Sequence, residues 1–220
     1  MNKKALIAEF IGTFTLIFIG VGAIAADYLS GGKVGLTGIA LAHGMSIGVM
    51  ASATASISGG HLNPAVTIGL WSVKKIDNIN AIGYVIAQCL GAIFAALLIK
   101  AAVPAEALSA VGMGTPALGN GITPQMGLVT EIILTFILVF VIYGTAVDPR
   151  GPKCGGLFIG LAVALDILMG GPISGAAMNP ARFLGPALLG GGLQNAWIYW
   201  VGPIIGSVLA AQIYKTQLEK

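Results

Sequence analysis

Long apolar runs recur along the chain and are separated by short polar segments. A helix needs roughly 20 apolar residues to cross a hydrocarbon core of about 30 Å. Six runs reach about that length, and we expect each to form a membrane-spanning helix. They are Leu6–Ala26, Leu36–Ser56, Ala81–Val103, Met126–Val147, Gly155–Ile173 and Gln194–Tyr214. Two further apolar stretches, after Asn63 and after Asn179, are only about half as long.

The composition indicates an all-α membrane protein. Of the 220 residues, 56% are hydrophobic and 9% are charged, and the mean hydropathy is +0.93. A soluble domain carries about 25% charged residues, so most of this surface must face lipid. The formal charge of +3 comes from basic residues scattered over loops, which argues against a nucleic-acid partner. Cys89 and Cys154 form no metal-ligand spacing, so we expect no metal and no cofactor.

The distribution of basic residues predicts the orientation in the membrane. When six spans are threaded, Lys33 and Lys100 fall on one side and most other basic residues fall on the opposite side. The residues on that opposite side are Lys3, Lys4, Lys74, Lys75, Arg150, Lys153, Lys215 and Lys220. By the positive-inside rule, both termini are cytoplasmic. Short tails and the lack of an Asn-x-Ser/Thr sequon favour a prokaryotic plasma membrane, with a plant vacuole as the alternative.

The chain contains an internal repeat. Glu9–Ala23 matches Glu131–Thr145 at seven of fifteen positions with an offset of 122, and the two glutamates are among the matches. Ser58–Ala65 matches Ser174–Ala181 at five of eight positions with an offset of 116. Each half contains three spans, an odd number, so the second half is inverted relative to the first. We therefore expect one channel domain over residues 1–220, with halves of about 1–103 and 126–220.

Each short apolar stretch begins with the same triplet. The triplets are Asn63, Pro64, Ala65 and Asn179, Pro180, Ala181. Asparagine is a strong N-cap and proline suits the first helical turn, so both triplets predict helix starts. About ten residues span roughly 15 Å, half of the bilayer core. Two such half-helices, opposite in direction, would bring their electropositive N-termini and their asparagine amides together at the centre of the membrane.

The segments before the triplets predict backbone that lines a pore. Irregular backbone at membrane depth is tolerated where it is buried or lines an aqueous cavity. The residues expected to expose carbonyl groups are Gly59, Gly60, His61, Leu62, Gly175, Ala176, Ala177 and Met178. Glu9 and Glu131 are expected to accept hydrogen bonds from amides of these loops, in preference to a proton-relay role. Asp166 has no evident role, and we expect it to be paired within the bundle.

The two triplets, the repeated glutamate and Arg182 directly after the second triplet resemble the major intrinsic protein family, the aquaporins and glycerol facilitators, over essentially the whole chain. The resemblance implies six spans plus two re-entrant half-helices, a pore in each protomer and a homotetramer. It also implies an outer constriction at His43, Ile167, Ala176 and Arg182, a set similar to that of plant vacuolar aquaporins. Such channels pass water and, in many cases, ammonia, urea or hydrogen peroxide, without protons or ions.

Two other functions are weighed against a water channel. Glycerol facilitators carry Asp after the arginine, where this chain has Phe183, and a Pro-aliphatic pair where it has Tyr199-Trp200. A small-polyol facilitator is therefore the less favoured alternative. A secondary transporter with broken helices would need carboxylates beside the unwound segments. An enzyme is not expected, since the sequence shows no catalytic constellation.

Overall fold

The structure is a computed structural model and describes residues 2–219, which form helices and connecting loops without a strand. Nine α-helices follow one another within this range. They are α1 (Lys3–Leu29), α2 (Gly35–Ser58), α3 (Pro64–Ser72), α4 (Asn78–Ala102), α5 (Ala105–Ala110), α6 (Pro124–Ile142), α7 (Gly155–Ser174), α8 (Pro180–Pro186) and α9 (Ile198–Ile213). Wider helical turns extend α6, α8 and α9 at their C-terminal ends.

Five helices within residues 2–219 are long and apolar enough to cross a membrane, namely α1, α2, α4, α6 with its extension, and α7. The sixth predicted span corresponds to α9, which has 16 residues and continues through the five residues of the turn Tyr214–Leu218. This span begins four residues later than the sequence predicts, because residues 194–197 form a turn. The short helix α5 lies in the long connection between the halves and was not predicted.

The two halves repeat the same path from a long helix into a half-helix. Helix α2 ends at Gly59 with φ +87°, and α7 ends at Gly175 with φ +81°. A left-handed glycine of this kind reverses the chain at a helix C-terminus. A short irregular segment then leads to Asn63 or Asn179, each of which is extended and N-caps a half-helix.

Small residues allow the halves to pack closely. Gly44 and Gly48 of α2 face Gly156 and Gly160 of α7, and a Cβ built at Gly48 would lie 3.1 Å from the carbonyl oxygen of Gly156. Such approaches are typical of helix packing in lipid, where van der Waals contact between backbones replaces the hydrophobic effect. The contact holds the two inverted halves together along one side of the bundle.

Candidate functional site

The N-termini of the half-helices α3 and α8 meet inside the bundle. The Asn63 side-chain oxygen accepts from the Ala65 N–H at 2.8 Å, and its Nδ2 donates to the carbonyl of Met178 at 2.8 Å. In the other half, the Asn179 oxygen accepts from the Ala181 N–H at 3.0 Å, and its Nδ2 donates to the carbonyl of Leu62 at 3.0 Å. Each amide nitrogen carries two N–H donors, so one donor on each asparagine stays available to a molecule in the cavity.

Two buried glutamates anchor the loops before these asparagines. Glu9 accepts from the N–H groups of His61 at 2.9 Å and Leu62 at 2.6 Å. Glu131 accepts from the N–H groups of Ala177 at 2.9 Å and Met178 at 2.7 Å. Each carboxylate also accepts from the serine hydroxyl that starts its loop, at 2.6 and 2.7 Å. These donors would otherwise be unpaired at membrane depth, where they would cost several kcal/mol.

Two tyrosines complete the support, and the sequence reasoning missed this role. The Tyr84 hydroxyl donates to the carbonyl of Ser58 at 2.9 Å, and the Tyr199 hydroxyl donates to the carbonyl of Ser174 at 2.8 Å. The two tyrosines are 115 positions apart, close to the 116-residue offset of the triplets. That spacing is the signal that could have identified them.

A cavity runs past both asparagines. Its wall combines aliphatic side chains with a few polar groups. The aliphatic residues are Leu16, Ile47, Val66, Leu138, Ile142, Ile159, Val163 and Ile167. The remaining lining residues are Gly60, Ala176, Ala177, Met178, His43, His61, Asn63, Asn179 and Arg182. A mostly apolar wall with few hydrogen-bonding groups allows a polar molecule to pass without being held at one place.

The eight residues expected to supply pore carbonyls do not all line this cavity. Gly60, His61, Ala176, Ala177 and Met178 line it. Gly175 lines a second cavity, and Gly59 caps α2. Leu62 is fully buried, and its carbonyl accepts from Asn179, as the carbonyl of Met178 accepts from Asn63. Since a carbonyl oxygen has two lone pairs, one such bond does not remove it from the pore, and the set of pore-facing carbonyls stays a prediction.

The second cavity is a vestibule between α1, α2, α7 and the segment 111–117. Four residues line both this vestibule and the inner cavity, and so lie at the boundary between the two. They are His43, Ile167, Ala176 and Arg182. The structure thus brings together the four positions that the resemblance assigns to the outer constriction.

His43 and Arg182 are hydrogen-bonded to each other at this boundary. His43 Nδ1 lies 2.8 Å from the carbonyl of Ile39, so it must donate. His43 Nε2 is then the acceptor for the Arg182 Nε–H, 3.2 Å away, which requires a neutral imidazole. Arg182 Nη1 is buried and has no hydrogen-bond partner within residues 2–219. It is therefore a donor left unpaired by residues 2–219 at the boundary between the two cavities.

The halves differ in the polarity of the layer behind the asparagines. In the first half, Thr67 bonds to His61 Nδ1 at 3.1 Å and to Gln88 Nε2 at 3.0 Å. In the second half, Phe183 takes the equivalent position and stacks on Tyr199 with the ring centroids 4.5 Å apart. Phe183 is thereby fully packed beside Arg182.

The structure contradicts the expectation that Asp166 is paired within the bundle. It is buried on α7, and its Oδ2 has no hydrogen-bond partner among residues 2–219. Asp166 also lines neither of the two cavities. Asp166 therefore lies in the bundle wall, outside the pore.

The fold and the meeting point of the half-helices define a membrane channel protein. A family model described as "Major intrinsic protein" matches residues 1–214. The chain is 46% identical to "Aquaporin TIP4-4" of Zea mays, covering 96% of this chain and 85% of that protein. It is 43% identical to "Aquaporin TIP2-3" of Arabidopsis thaliana, covering 97% and 86%. It is also similar to the X-ray structure of the aquaglyceroporin from Plasmodium falciparum, with TM-score 0.88, 27% identity and coverage of 99% and 97%.

The chain belongs to the major intrinsic protein family. This is a family of transmembrane channels, so the protein is an integral membrane channel and not an enzyme. The predictions of the family, of the fold class and of a non-enzymatic transport protein are confirmed.

Proposed function

We propose that this protein is a passive channel for water that excludes protons and ions. The observation that carries the proposal is the pair of reciprocal hydrogen bonds between Asn63, Asn179 and the opposite loops, beside one mostly apolar cavity. Within one domain of two halves, 1–103 and 126–220, the pore lies at the junction of the halves. The relatives named aquaporins support the same function.

The central region separates water from protons by orientation and by charge. A water molecule beside Asn63 and Asn179 accepts the free N–H of each amide with its oxygen. Its hydrogens then point away from the centre in both directions, so protons cannot hop through it along the file. The N-terminus of each half-helix also carries about half a positive charge, which raises the energy of any cation there.

The boundary between the two cavities supplies the second filter. Arg182 provides a fixed positive charge, while Ile167 and Ala176 provide apolar wall. His43 has both ring nitrogens engaged, so it offers a passing solute little beyond its surface. We propose that this filter passes water and admits small neutral solutes such as ammonia, urea and hydrogen peroxide.

A glycerol channel is the second candidate, favoured by the similarity to a solved aquaglyceroporin. Glycerol needs more room than water and several hydrogen-bond partners in the filter. The region behind Arg182 is filled here by the stacked rings of Phe183 and Tyr199. Because this packing fills the space behind Arg182, we expect the filter to suit water better than glycerol.

We propose further that the protein is a homotetramer in a lipid membrane, with both termini on the cytoplasmic side. The positive-inside distribution supports this orientation. Large apolar side chains are exposed along the spanning helices, as a surface that contacts lipid or neighbouring copies requires. A prokaryotic plasma membrane stays a prediction that the plant relatives do not favour.

Stopped-flow light scattering on proteoliposomes tests this function. The parent, Arg182→Val and His43→Phe are compared for water, glycerol, urea, ammonia and peroxide, with Lys33→Val as a control because Lys33 is exposed and outside both cavities. We expect the parent to pass water faster than glycerol, Arg182→Val to admit larger solutes, and His43→Phe to narrow the range. Faster glycerol than water in the parent would favour the second candidate. A proton flux that keeps pace with water would refute the central barrier, and dependence of flux on an ion gradient would indicate a transporter.

A further inference from the structure

The first half of α4 has a ridge of large side chains flanked by small ones. Ile82 and Ile86 are exposed by 63% and 55% and stand on the outer surface of the bundle. Next to them along the sequence, Ala81, Gly83 and Ala87 are buried and provide little volume. The alternation therefore leaves a depression on each side of the ridge.

Both depressions are open grooves. The first lies between α3 and α4, with Trp71 at one end and Ala81 in its floor. The second lies between α1 and α4, with Phe10 on one wall and Gly83 in its floor. Ile86 lines both grooves, so they are neighbours along α4, and the second extends further toward the C-terminal end of that helix. Nearly all of the surface in each groove is apolar.

The polar start of α4 lies beside the start of α1. Helix α4 begins at Asn78, and the side chain of Asn80 accepts from the N–H of Asn2, at the start of α1, at 3.3 Å. The Trp71 indole N–H donates to the side chain of Asn78 at 2.7 Å. An exposed indole with its N–H turned to polar groups is typical of the boundary between headgroups and acyl chains.

This end of the molecule has a positive charge. Lys3 and Lys4 begin α1, and Lys74 follows Trp71 in the turn after α3; all three are exposed. The acidic residue beside them is Asp77, whose pKa is lowered by hydrogen bonds from Asn80, so it is ionised at neutral pH. These three lysines and Asp77 form a rim at this end of the molecule. With three cations and one carboxylate, the rim has a net positive charge, which attracts anionic headgroups.

We propose that one anionic diacyl phospholipid binds here, with one acyl chain in each groove, the ridge of Ile82 and Ile86 between the chains, and the headgroup beside Lys74 and the start of α1. Two neighbouring apolar grooves that share Ile86 as a wall, close to the polar starts of α1 and α4, match the shape of a two-chain lipid. The inference depends on insertion in a membrane and is independent of which solute the pore conducts.

Fluorescence quenching by brominated lipid tests the site. The chain has three tryptophans, so Trp197→Phe/Trp200→Phe leaves Trp71 as the single indole. The matched control is Trp71→Phe/Trp200→Phe, whose remaining Trp197 is exposed outside both grooves. Each protein is placed in phosphatidylcholine vesicles with a small fraction of either brominated phosphatidylglycerol or brominated phosphatidylcholine. Water permeability is measured on the same samples to show that the channel is folded.

We expect brominated phosphatidylglycerol to quench Trp71 about fivefold more effectively than brominated phosphatidylcholine, since one lysine near an anionic lipid contributes about that factor. Trp197 should show no such preference. Lys74→Gln should remove most of the preference, whereas Lys153→Gln, an exposed lysine on another loop, should keep it. Gly83→Leu, which fills one groove, should weaken quenching by both lipids.

Three results would overturn the proposal. Equal quenching of Trp71 by the two lipids would indicate ordinary annular lipid. Quenching by neither lipid would indicate that another copy of the chain covers the grooves. An unchanged preference in Lys74→Gln would show that the rim does not select the headgroup. None of these results bears on water conduction, which the permeability measurement reports separately.

Discussion

The side chain of Asn63 donates a hydrogen bond to the backbone carbonyl of Met178, 115 residues later in the chain. The reciprocal bond from Asn179 to Leu62 makes each half of the repeat part of the other half's pore wall. Neither half-helix can move alone without leaving a buried donor or acceptor unpaired, which costs about 1–3 kcal/mol per group. The centre of the pore is therefore a rigid joint between the halves.

Replacement of Asn63 by Asp should damage both conduction and selectivity. An ionised Asp only accepts, so it would face the Met178 carbonyl without a donor and would place a negative charge where the helix ends repel cations. We expect water permeability to fall several-fold and a cation leak to appear in proteoliposome flux measurements. Asn120→Asp, in an exposed loop, is the matched control and should behave as the parent. An Asn63→Asp protein that conducts water like the parent and shows no cation leak would contradict the proposed barrier.

Glu9→Gln should destabilise the first re-entrant loop. Both carboxylate oxygens of Glu9 accept from protein donors, and Oε2 alone accepts from Leu62 N and Gln88 Nε2. Whichever way Gln is turned, its NH₂ group faces donors, at a cost of about 2 kcal/mol or more. Thermal unfolding in detergent should show a lower midpoint, while Glu106→Gln, at an exposed position, should not. An unchanged midpoint would mean that the carboxylate does not hold the loop.

Asp166→Asn should be tolerated. Asp166 has an unpaired buried oxygen and lies outside both cavities, so its replacement by a neutral isostere removes no hydrogen bond seen among residues 2–219. We expect the water permeability and the unfolding midpoint of the parent, since the isostere keeps the packing of the buried site. Loss of permeability with normal folding would assign Asp166 a role in transport.

Ala176→Cys should confer block by mercurials. Ala176 lines both cavities at their boundary, so a bulky group on a thiol there would close the path. The native Cys89 and Cys154 line neither cavity, and we expect the parent to be insensitive. Water permeability before and after a mercurial, and again after added thiol, gives the measurement. An unblocked Ala176→Cys protein, or a block of the parent that disappears in a variant lacking both native cysteines, would be inconsistent with this placement.

Glu219→Gln should lower the stability of the protein at neutral pH but not in acid. Glu219 accepts from Lys75 Nζ at 2.6 Å and from the Tyr143 hydroxyl at 3.0 Å, and the bond from Lys75 is the main reason that its pKa is lowered. A carboxylate with a depressed folded-state pKa stabilises the protein above its unfolded pKa of about 4.3, and this contribution is lost as pH falls through the folded value. The midpoints of parent and variant should differ at pH 7 and converge in acid. A difference that persists in acid would show a cause other than charge.

The sequence predicted the elements of the fold because membrane spans and N-caps are encoded locally. Apolar length alone identifies a span such as Ala81–Val103, and the triplet at Asn63 marks a helix start by its cap and its proline. The start of α9 was placed too early, since residues 194–197 directly precede the apolar run and were counted with it, but they form a turn. Helix α5 was missed because six residues carry too little periodicity to be recognised.

Contacts within the site were harder to predict because they depend on how each helix is rotated and how the halves dock. The bond between His43 and Arg182 joins residues 139 positions apart, and no local pattern indicates it. The carbonyls of Leu62 and Met178 each accept from the asparagine of the opposite half, and no local pattern indicates these bonds either. Asp166 was expected to be paired, and the rotation of α7 instead leaves one of its oxygens alone.

The reciprocal hydrogen bonds between the two halves cannot form while only the first half has been synthesised. When the first three helices enter the bilayer, Met178 has not yet been translated, so Asn63 and the first re-entrant loop lack their partners. The nascent half must keep this polar segment near water or beside the insertion machinery until the second half arrives. Biogenesis of this channel is therefore completed only when the last helices are inserted, and a ribosome that stalls in the second half leaves an exposed polar loop in the membrane.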